Sequence, residues 1–386
     1  MKIGLVCPYN VARGGAVQEI VKDMQVGLSR RGHTVKIITG RPRDISQVDT
    51  THTLFVGKVT DFKSPTHTLA SFAVSSDPQA DAQVIAAEQF DVLHFHEPGL
   101  PLLGKQLLDR RVSATVATFH AKLPDTVISK TIGRAATPYL RGILDDLDEL
   151  TVGSESAADY IRTLTDRPLE YIPNGVDLEV YTPVPRLAPG PRKQILYVGR
   201  LEHRKGVKYL LRAFQALSRR RDDVELLIAG DGPDRAKLEQ LVALQRIPRV
   251  TFLGYIDHAT KLRLLAEADL FCSPAIFGES FGLVLLEAMA TGLVTVAGNN
   301  PGYAGVMQGR GALSLVSPQD TADFARRLSL LLDNEGLRAS WREWALDYVK
   351  RFDYRDIMAQ YEAQYERALR ARSAPPAPRR SAVQSV

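Results

Sequence analysis

Twice along this chain, short runs of aliphatic and β-branched residues alternate with longer stretches of helical period, and a proline-rich break separates the two series. No other feature limits the fold so strongly. The first series opens on "KIGLVC" (2–7), followed by a helical stretch (16–31) with Val17, Ile20, Val21, Met24 and Leu28 at helical spacing. It continues through "TVKIIT" (34–39), "DVLHFH" (91–96), "ATVATF" (114–119), "ELTVG" (149–153) and "LEYI" (169–172). Residues 40–78 carry no clear period. The second series runs "QILYVG" (194–199), "VELLIAG" (224–230), "VTFLG" (250–254), "LFCS" (270–273) and "LVTVAG" (293–298), with helical stretches between. Such alternation predicts parallel sheets covered by helices on both faces.

The break is "VDLEVYTPVPRLAPGPRK" (176–193), with four prolines and no period, which reads as a linker. The predicted organisation is an α/β chain of two doubly wound, Rossmann-like domains, 1–175 and 176–351. A last helix (352–371) is expected to pack back on the first domain, and a Pro/Ser/Ala-rich tail (372–386) to be disordered. Doubly wound sheets bind ligands beyond the carboxyl ends of their strands, so the cleft between the domains is the expected active site.

Composition excludes several functions. The chain has 386 residues and a net charge of +5, but its basic residues are interspersed with acidic ones. The runs Arg219–Arg221 and Arg379–Arg380 lack interleaved aromatics, which argues against nucleic acid. Weak attraction to an anionic membrane stays open. Cys7 and Cys272 each end a strand-like run and read as buried free thiols, and a cytoplasmic protein is expected. "MKIGLVCPYN" turns polar too early for a signal peptide. Residues 281–298 are too interrupted, by Gly282, Glu287, Thr291 and Gly292, to span a membrane.

Five stretches carry the chemistry. In "PYNVARGGAVQEIV", Gly14 and Gly15 precede the first helix, where a backbone can approach an anion; a plain turn is the alternative. "GRLEHRKG" gathers Arg200, Arg204 and Lys205 at a strand end, a cradle for a diphosphate or else a solvated basic loop. "VLHFHEP" puts His94 and His96 on one side of a strand without a third metal ligand at credible spacing, and no metal is expected. "ATFHAK" ends a strand on His120, which is structural or functional. Asp146 and Asp148 form a D-x-D that reads as a solvated helix end.

The last stretch is "FGESFGLVLLEAMATG" (277–292). Ser280 is expected to cap a buried helix over 281–291, so Glu287 needs a partner: a ligand or an arginine. At a helical rise Glu279 and Glu287 lie roughly 12 Å apart along the axis and roughly 80° apart around it. Paired glycosidase carboxylates sit roughly 5 to 9.5 Å apart. The two glutamates therefore read as grips on the two ends of an elongated ligand. A buried ion pair at Glu287 is the alternative.

Together with "PNGVD" (173–177), "GDGPD" (230–234) and "FLGYID" (252–257), these motifs resemble the retaining nucleotide-sugar glycosyltransferases of family 4, with the GT-B fold, along nearly the whole chain. The resemblance implies that Glu279 contacts the donor sugar and Glu287 the ribose. It implies that Arg200 and Lys205 hold the diphosphate, that the backbone of Phe281, Gly282 and Leu283 adds N–H donors, and that Ile256 lies near the base. It places His120 beside the reacting bond, and Gly14 and Gly15 at the phosphates. Close relatives read Gly-Gly-Val-Gln, whereas this chain has Ala16 before Val17 and Gln18. The motifs look most like bacterial phosphatidylinositol mannosyltransferases, yet residues 65–90 contain no Lys or Arg where those carry a basic amphipathic helix.

The implied activity is transfer of a hexose, mannose or glucose, with retention. The donor is GDP-mannose or a UDP- or ADP-sugar, and the acceptor hydroxyl belongs to a phosphatidylinositol-type lipid, another lipid or a sugar. No cofactor or metal is implied. Contact with the inner membrane face would be peripheral. A sugar-nucleotide epimerase of the same fold and a non-catalytic sugar-nucleotide-binding protein are the alternatives.

Overall fold

The computed structural model describes residues 1–12, 15–46, 48–63, 69–75, 77–99, 103–108, 113–120, 127–183 and 190–373. The chain divides into two compact units. One comprises 1–152, 158–172 and the chain from Met358; the other comprises 153–157 and 173–357.

Chain order through the first part is β1 (Lys2–Val6), α1 (Ala16–Arg30), β2 (Thr34–Arg41), β3 (Thr53–Lys63), β4 (Leu69–Val74), α2 (Pro78–Glu88) and β5 (Val92–His96). Then come α3 (Leu103–Leu108), β6 (Ala114–Phe119), α4 (Val127–Asp146), β7 (Glu149–Val152), α5 (Glu155–Arg162) and β8 (Glu170–Tyr171). The strands lie in the order β4-β3-β2-β1-β5-β6-β7-β8. β1 sits where the order reverses, between β2 and β5 and parallel to both. A crevice forms beyond the carboxyl ends of strands at such a point. α1 turns Ile20, Val21, Met24 and Leu28 inward, as their spacing requires.

The unassigned stretch 40–78 holds β3 and β4, which pair antiparallel, so the sheet is not wholly parallel as expected. A register shift between Thr39 and Arg41 breaks the alternation that would have marked β3 in the sequence.

The second unit contains β9 (Lys193–Val198), a 3-10 turn (His203–Lys205), α6 (Val207–Ser218), β10 (Val224–Ala229), α7 (Arg235–Gln245), β11 (Val250–Gly254) and α8 (His258–Glu267). It continues with β12 (Leu270–Ser273), α9 (Leu283–Ala290), β13 (Thr295–Gly298), α10 (Pro301–Val306), β14 (Leu315–Val316), α11 (Thr321–Asp333) and α12 (Glu335–Tyr348). Its six strands are all parallel, ordered β11-β10-β9-β12-β13-β14. The central strands are buried on both faces, with Ile195, Leu196, Leu226, Ile228, Leu270 and Phe271 inaccessible.

Two predicted boundaries move. The supposed linker is partly stitched into the second unit. The Val176 N–H donates to Phe352 O at 2.9 Å, Tyr354 N donates to Val176 O at 3.0 Å, and Tyr181 is buried. The N-terminal portion of the first unit accordingly runs to Ile172, whereas 175 was expected. The last helix, α13 (Tyr354–Ser373), joins the first unit only from Met358. There Glu362 accepts from Arg31 through both oxygens, at 2.8 and 2.6 Å, and pairs with His33 at 2.7 Å. The tail beyond Ser373 lies outside the described residues. No helix among the described residues is long and apolar enough to cross a membrane.

Candidate functional site

In the second unit, two loops from the carboxyl ends of β9 and β12 are joined backbone to backbone. Ile276 N donates to Arg204 O at 2.9 Å. Gly206, at φ +69°, packs so closely that a Cβ there would sit 2.1 Å from Pro274 O. Only glycine accommodates both the left-handed turn and that approach. α6 begins immediately after it.

This junction delivers a compact charge cluster. Oε1 of Glu279 accepts from Arg204 Nη1 at 2.6 Å and pairs with Lys205 Nζ at 2.7 Å. Arg204 also reaches Gly278 O at 2.9 Å and the Glu202 carboxylate at 2.7 Å. The Glu202 and Glu279 side chains are only 9% and 11% exposed, so their charges depend on these cations. Burial opposes the Arg204 charge, but the Glu279 and Glu202 carboxylates outweigh it and hold the guanidinium above its ordinary value. Arg200 is the open member: its side chain is 44% exposed, and its nearest carboxylate is Glu202 at 3.8 Å. The arrangement leaves Arg200 available to an anion, with Lys205 able to exchange Glu279 for one.

The Glu279 backbone is held from behind. A Cβ on Gly302 would sit 2.1 Å from Glu279 O, so the first turn of α10 lies against it. Asn300 caps α10 by accepting from Tyr303 N at 3.1 Å and donates to Ala275 O at 3.0 Å. The Tyr303 hydroxyl meets Ser273 Oγ at 2.8 Å. Burial, then the charge of Glu279, pushes the Tyr303 phenol well above its usual range.

The helix after Glu279 differs from expectation. α9 starts at Leu283, and its N-cap is Gly282 at φ +110°, packed on the Tyr303 ring; Ser280 is not the cap. The helix ends at Ala290 instead of 291. Gly292 N donates to Met289 O and Leu293 N to Ala288 O, so Gly292 closes the helix. Because Glu279 precedes the helix, the axial separation from Glu287 does not apply; the two carboxylates have different partners. Glu287 Oε1 takes Lys261 Nζ at 2.8 Å and the Tyr181 hydroxyl at 2.9 Å. The cation is a lysine, not the expected arginine. Leu283, Val284 and Glu287 form a partly open strip, while Leu285, Leu286 and Met289 are buried. Phe281 is buried edge-on against Phe352. Ile256 is half-buried after β11, and Asp257 caps α8 through Thr260 N at 2.8 Å.

In the first unit, β5 and β6 carry three histidines to their carboxyl ends. His94 is consumed structurally, bonded to the Tyr365 hydroxyl at 2.8 Å and Thr118 Oγ1 at 2.7 Å. His96 Nδ1 meets His120 Nε2 at 2.8 Å, with the two rings nearly coplanar in orientation, at 7°. Glu97 adopts φ +52° and accepts from His120 N at 2.7 Å. All three imidazoles are held neutral by burial, His94 down to about 3 and His120 to about 4. The described residues hold no cluster of metal-ligating side chains. Gly15 caps α1 in an extended conformation, against the Gln18 amide. Gly14 lies outside the described residues. Asp148 of the D-x-D is a strand tie, accepting from Thr115 N at 2.8 Å. Cys7 and Cys272 are free and buried, and burial raises the Cys7 thiol to about 12.

Sequence reasoning did not assign roles to Glu202, Lys261, Tyr181 or Glu97, and it read Arg204 as part of a diphosphate cradle, not as the partner of Glu279 and Glu202. Glu202 and Arg204 sit inside a motif already singled out, so their charge pattern was the available signal. Tyr181 lay in a stretch taken for linker, and nothing local marks Lys261.

Two family models match in tandem: "Glycosyltransferase Family 4" over residues 14–180 and "Glycosyl transferases group 1" over 184–347. The chain is 34% identical over 378 residues to a phosphatidyl-myo-inositol mannosyltransferase of Mycolicibacterium smegmatis, covering 95% of this chain and 94% of the relative. It is 32% identical over 317 residues to a D-inositol 3-phosphate glycosyltransferase of the same organism, covering 76% and 71%. The sucrose-phosphate synthase of Thermosynechococcus elongatus matches in structure with a TM-score of 0.73 at 21% identity, over 96% of this chain and 99% of that one.

Proposed function

The chain belongs to the family 4 glycosyltransferases, with the GT-B fold, and from that premise we propose that it transfers mannose from GDP-mannose to a hydroxyl of a phosphatidylinositol-type lipid, with retention. The observation that carries the donor side is the Glu279 carboxylate held between Arg204 and Lys205. A sugar hydroxyl donates to Glu279 as the diphosphate draws Lys205 and Arg200 to itself. The leaving group then departs into positive charge, and attack follows on the same face. Catalysis of this kind is positioning and charge neutralisation. Glu287, with Lys261 and Tyr181, takes the ribose, and Ile256 flanks the base. Backbone N–H groups at Phe281, Gly282 and Leu283 face the diphosphate. His120 stands at the sugar, and Gly14 and Gly15 at the phosphates. No metal or cofactor enters this reading. With a lipid acceptor, the protein works on the cytoplasmic side, peripherally bound to the inner membrane face.

One observation favours a second acceptor. α2 and the rest of residues 65–90 contain no Lys or Arg, so that stretch offers an anionic lipid surface no cation. A small soluble inositol phosphate is the alternative acceptor. Thermal unfolding with GDP-, UDP- and ADP-sugars identifies the donor, since a true donor at 100 times its dissociation constant stabilises by about 2.7 kcal/mol. Product analysis with phosphatidylinositol vesicles and with inositol phosphate then identifies the acceptor. Stabilisation by a UDP- or ADP-sugar alone overturns the GDP-mannose assignment. Conversion of donor to an isomeric nucleotide-sugar without acceptor would revive the epimerase reading.

A further inference from the structure

Two buried ring nitrogens in the first unit have no hydrogen-bond partner among the described residues: Nε2 of His96 and Nδ1 of His120. They lie at opposite ends of one pair, because the remaining nitrogens, His96 Nδ1 and His120 Nε2, bond to each other at 2.8 Å. With both rings neutral, only two proton arrangements satisfy that bond. In the first, His96 Nδ1–H donates to His120 Nε2. His120 then carries its proton on Nδ1, and His96 Nε2 is bare. In the second, His120 Nε2–H donates to His96 Nδ1. His120 Nδ1 is then bare, and His96 carries an N–H at Nε2.

The arrangements differ once a ligand oxygen meets His120 Nδ1. The first then leaves only a lone pair unfilled, at His96 Nε2. The second leaves an N–H buried with no acceptor. Orphaned buried N–H groups are rare, because each keeps the full cost of losing its water. We infer that His96 is a positioning residue: it donates to His120 Nε2 and so keeps the His120 proton on Nδ1, where it is given to an oxygen of the sugar donor. The inference rests on the transferase reading for the ligand at His120, but not for the coupling of the two rings. The surroundings fit a fixed pair. Glu97 holds the His120 backbone, and His94, bonded to Tyr365 and Thr118, stacks on His96 with ring centroids 4.4 Å apart. The H-x-H pattern thus divides into one histidine that ties the strand to α13 and one that sets its neighbour's tautomer.

Nitrogen-15 NMR of histidine-labelled enzyme, with and without GDP-mannose, reads the tautomer directly. The expected spectrum with GDP-mannose has His120 protonated at Nδ1 and bare at Nε2. H96F removes the donor, so the His120 Nε2 signal should shift and kcat should fall about 10- to 100-fold, as losses behind a ligand-holding histidine do. H96N places an amide N–H near the lost Nδ1 and should restore the wild-type His120 signals and most of kcat. A bound enzyme protonated at His120 Nε2 overturns the inference. So does a folded H96N as impaired as H96F, or an H96F with unchanged His120 signals. Absence of thermal stabilisation by GDP-mannose is a separate result that strikes the donor assignment, because the dependence of His120 on His96 is still read in the unliganded spectra.

Discussion

Replacing Lys205 by alanine separates the work of a cation that meets ligand from the work of one that holds the loop. Lys205 and Arg204 share a single oxygen of Glu279, at 2.7 and 2.6 Å. In Lys205→Ala that oxygen keeps Arg204, so no carboxylate is left buried and unpaired. The stability cost is then that of one charge-assisted contact, about 1 to 2 kcal/mol. The Arg204→Ala change strips both Glu279 and Glu202 of their shared partner. Breaking a buried pair costs about 3–5 kcal/mol, and the partial exposure of Arg204 and the survival of Lys205 bring this to roughly 2–3 kcal/mol. Turnover should follow a different order. Loss of one preorganised electrostatic group costs about 10²–10³ in kcat, or roughly 2.7–4 kcal/mol of barrier. Lys205→Ala should therefore lose more in activity than in stability. The assay is nucleoside diphosphate release at saturating GDP-mannose with acceptor present, run beside thermal and urea unfolding of both variants. A Lys205→Ala enzyme with unchanged kcat, or one whose lost activity equals its lost folded fraction, would refute the reasoning.

Other outcomes follow from the same geometry. Tyr181→Phe deletes one of the two partners that Glu287 has among the described residues and should raise the donor KM about 3- to 10-fold with little change in kcat, checked by steady-state kinetics. Gly206→Ala forces a Cβ against Pro274 O at positive φ and should cost about 2 kcal/mol or more, checked by urea unfolding. The buried histidines make the first unit acid-sensitive. Their folded values lie below the ordinary value of roughly 6.5, so the unfolded chain binds the extra protons. Stability is full above about pH 6.5 and is lost as pH falls towards about 4, with a slope of at most about 4 kcal/mol per pH unit. Unfolding free energies at pH 7, 6 and 5 check this, and His94→Gln should reduce the slope by about a third.

The parallel sheets were legible because burial on both faces writes itself as continuous apolar runs, as in "QILYV" and "ELLIA". β3 and β4 were not, because an antiparallel edge pair whose inner strand shifts register against β2 carries no such run. Glu279 and Glu287 stood out as carboxylates in apolar surroundings, and Lys205 as part of a dense charge cluster. Their partners were harder to read. Lys261 lies 26 residues from Glu287 and Tyr181 lies 106 away, and only the fold brings them together. Ser280 failed as a cap because the tight turn at Gly282 moves the start of α9 past it.

The last helix has a consequence for how the protein is made. From Met358 onward α13 supplies Glu362 to Arg31 and His33, and Tyr365 to His94, a partner 271 positions earlier. On the ribosome, the first unit therefore emerges without the segment that closes its core, and all of 173–357 is synthesised before that segment arrives. The second unit, though later in the chain, has all of its segments by Ile357, before the first unit has its last one. The order of completion is the reverse of the order of translation, and the strands that carry His94 and Thr118 wait for Tyr361 and Tyr365 until α13 is made.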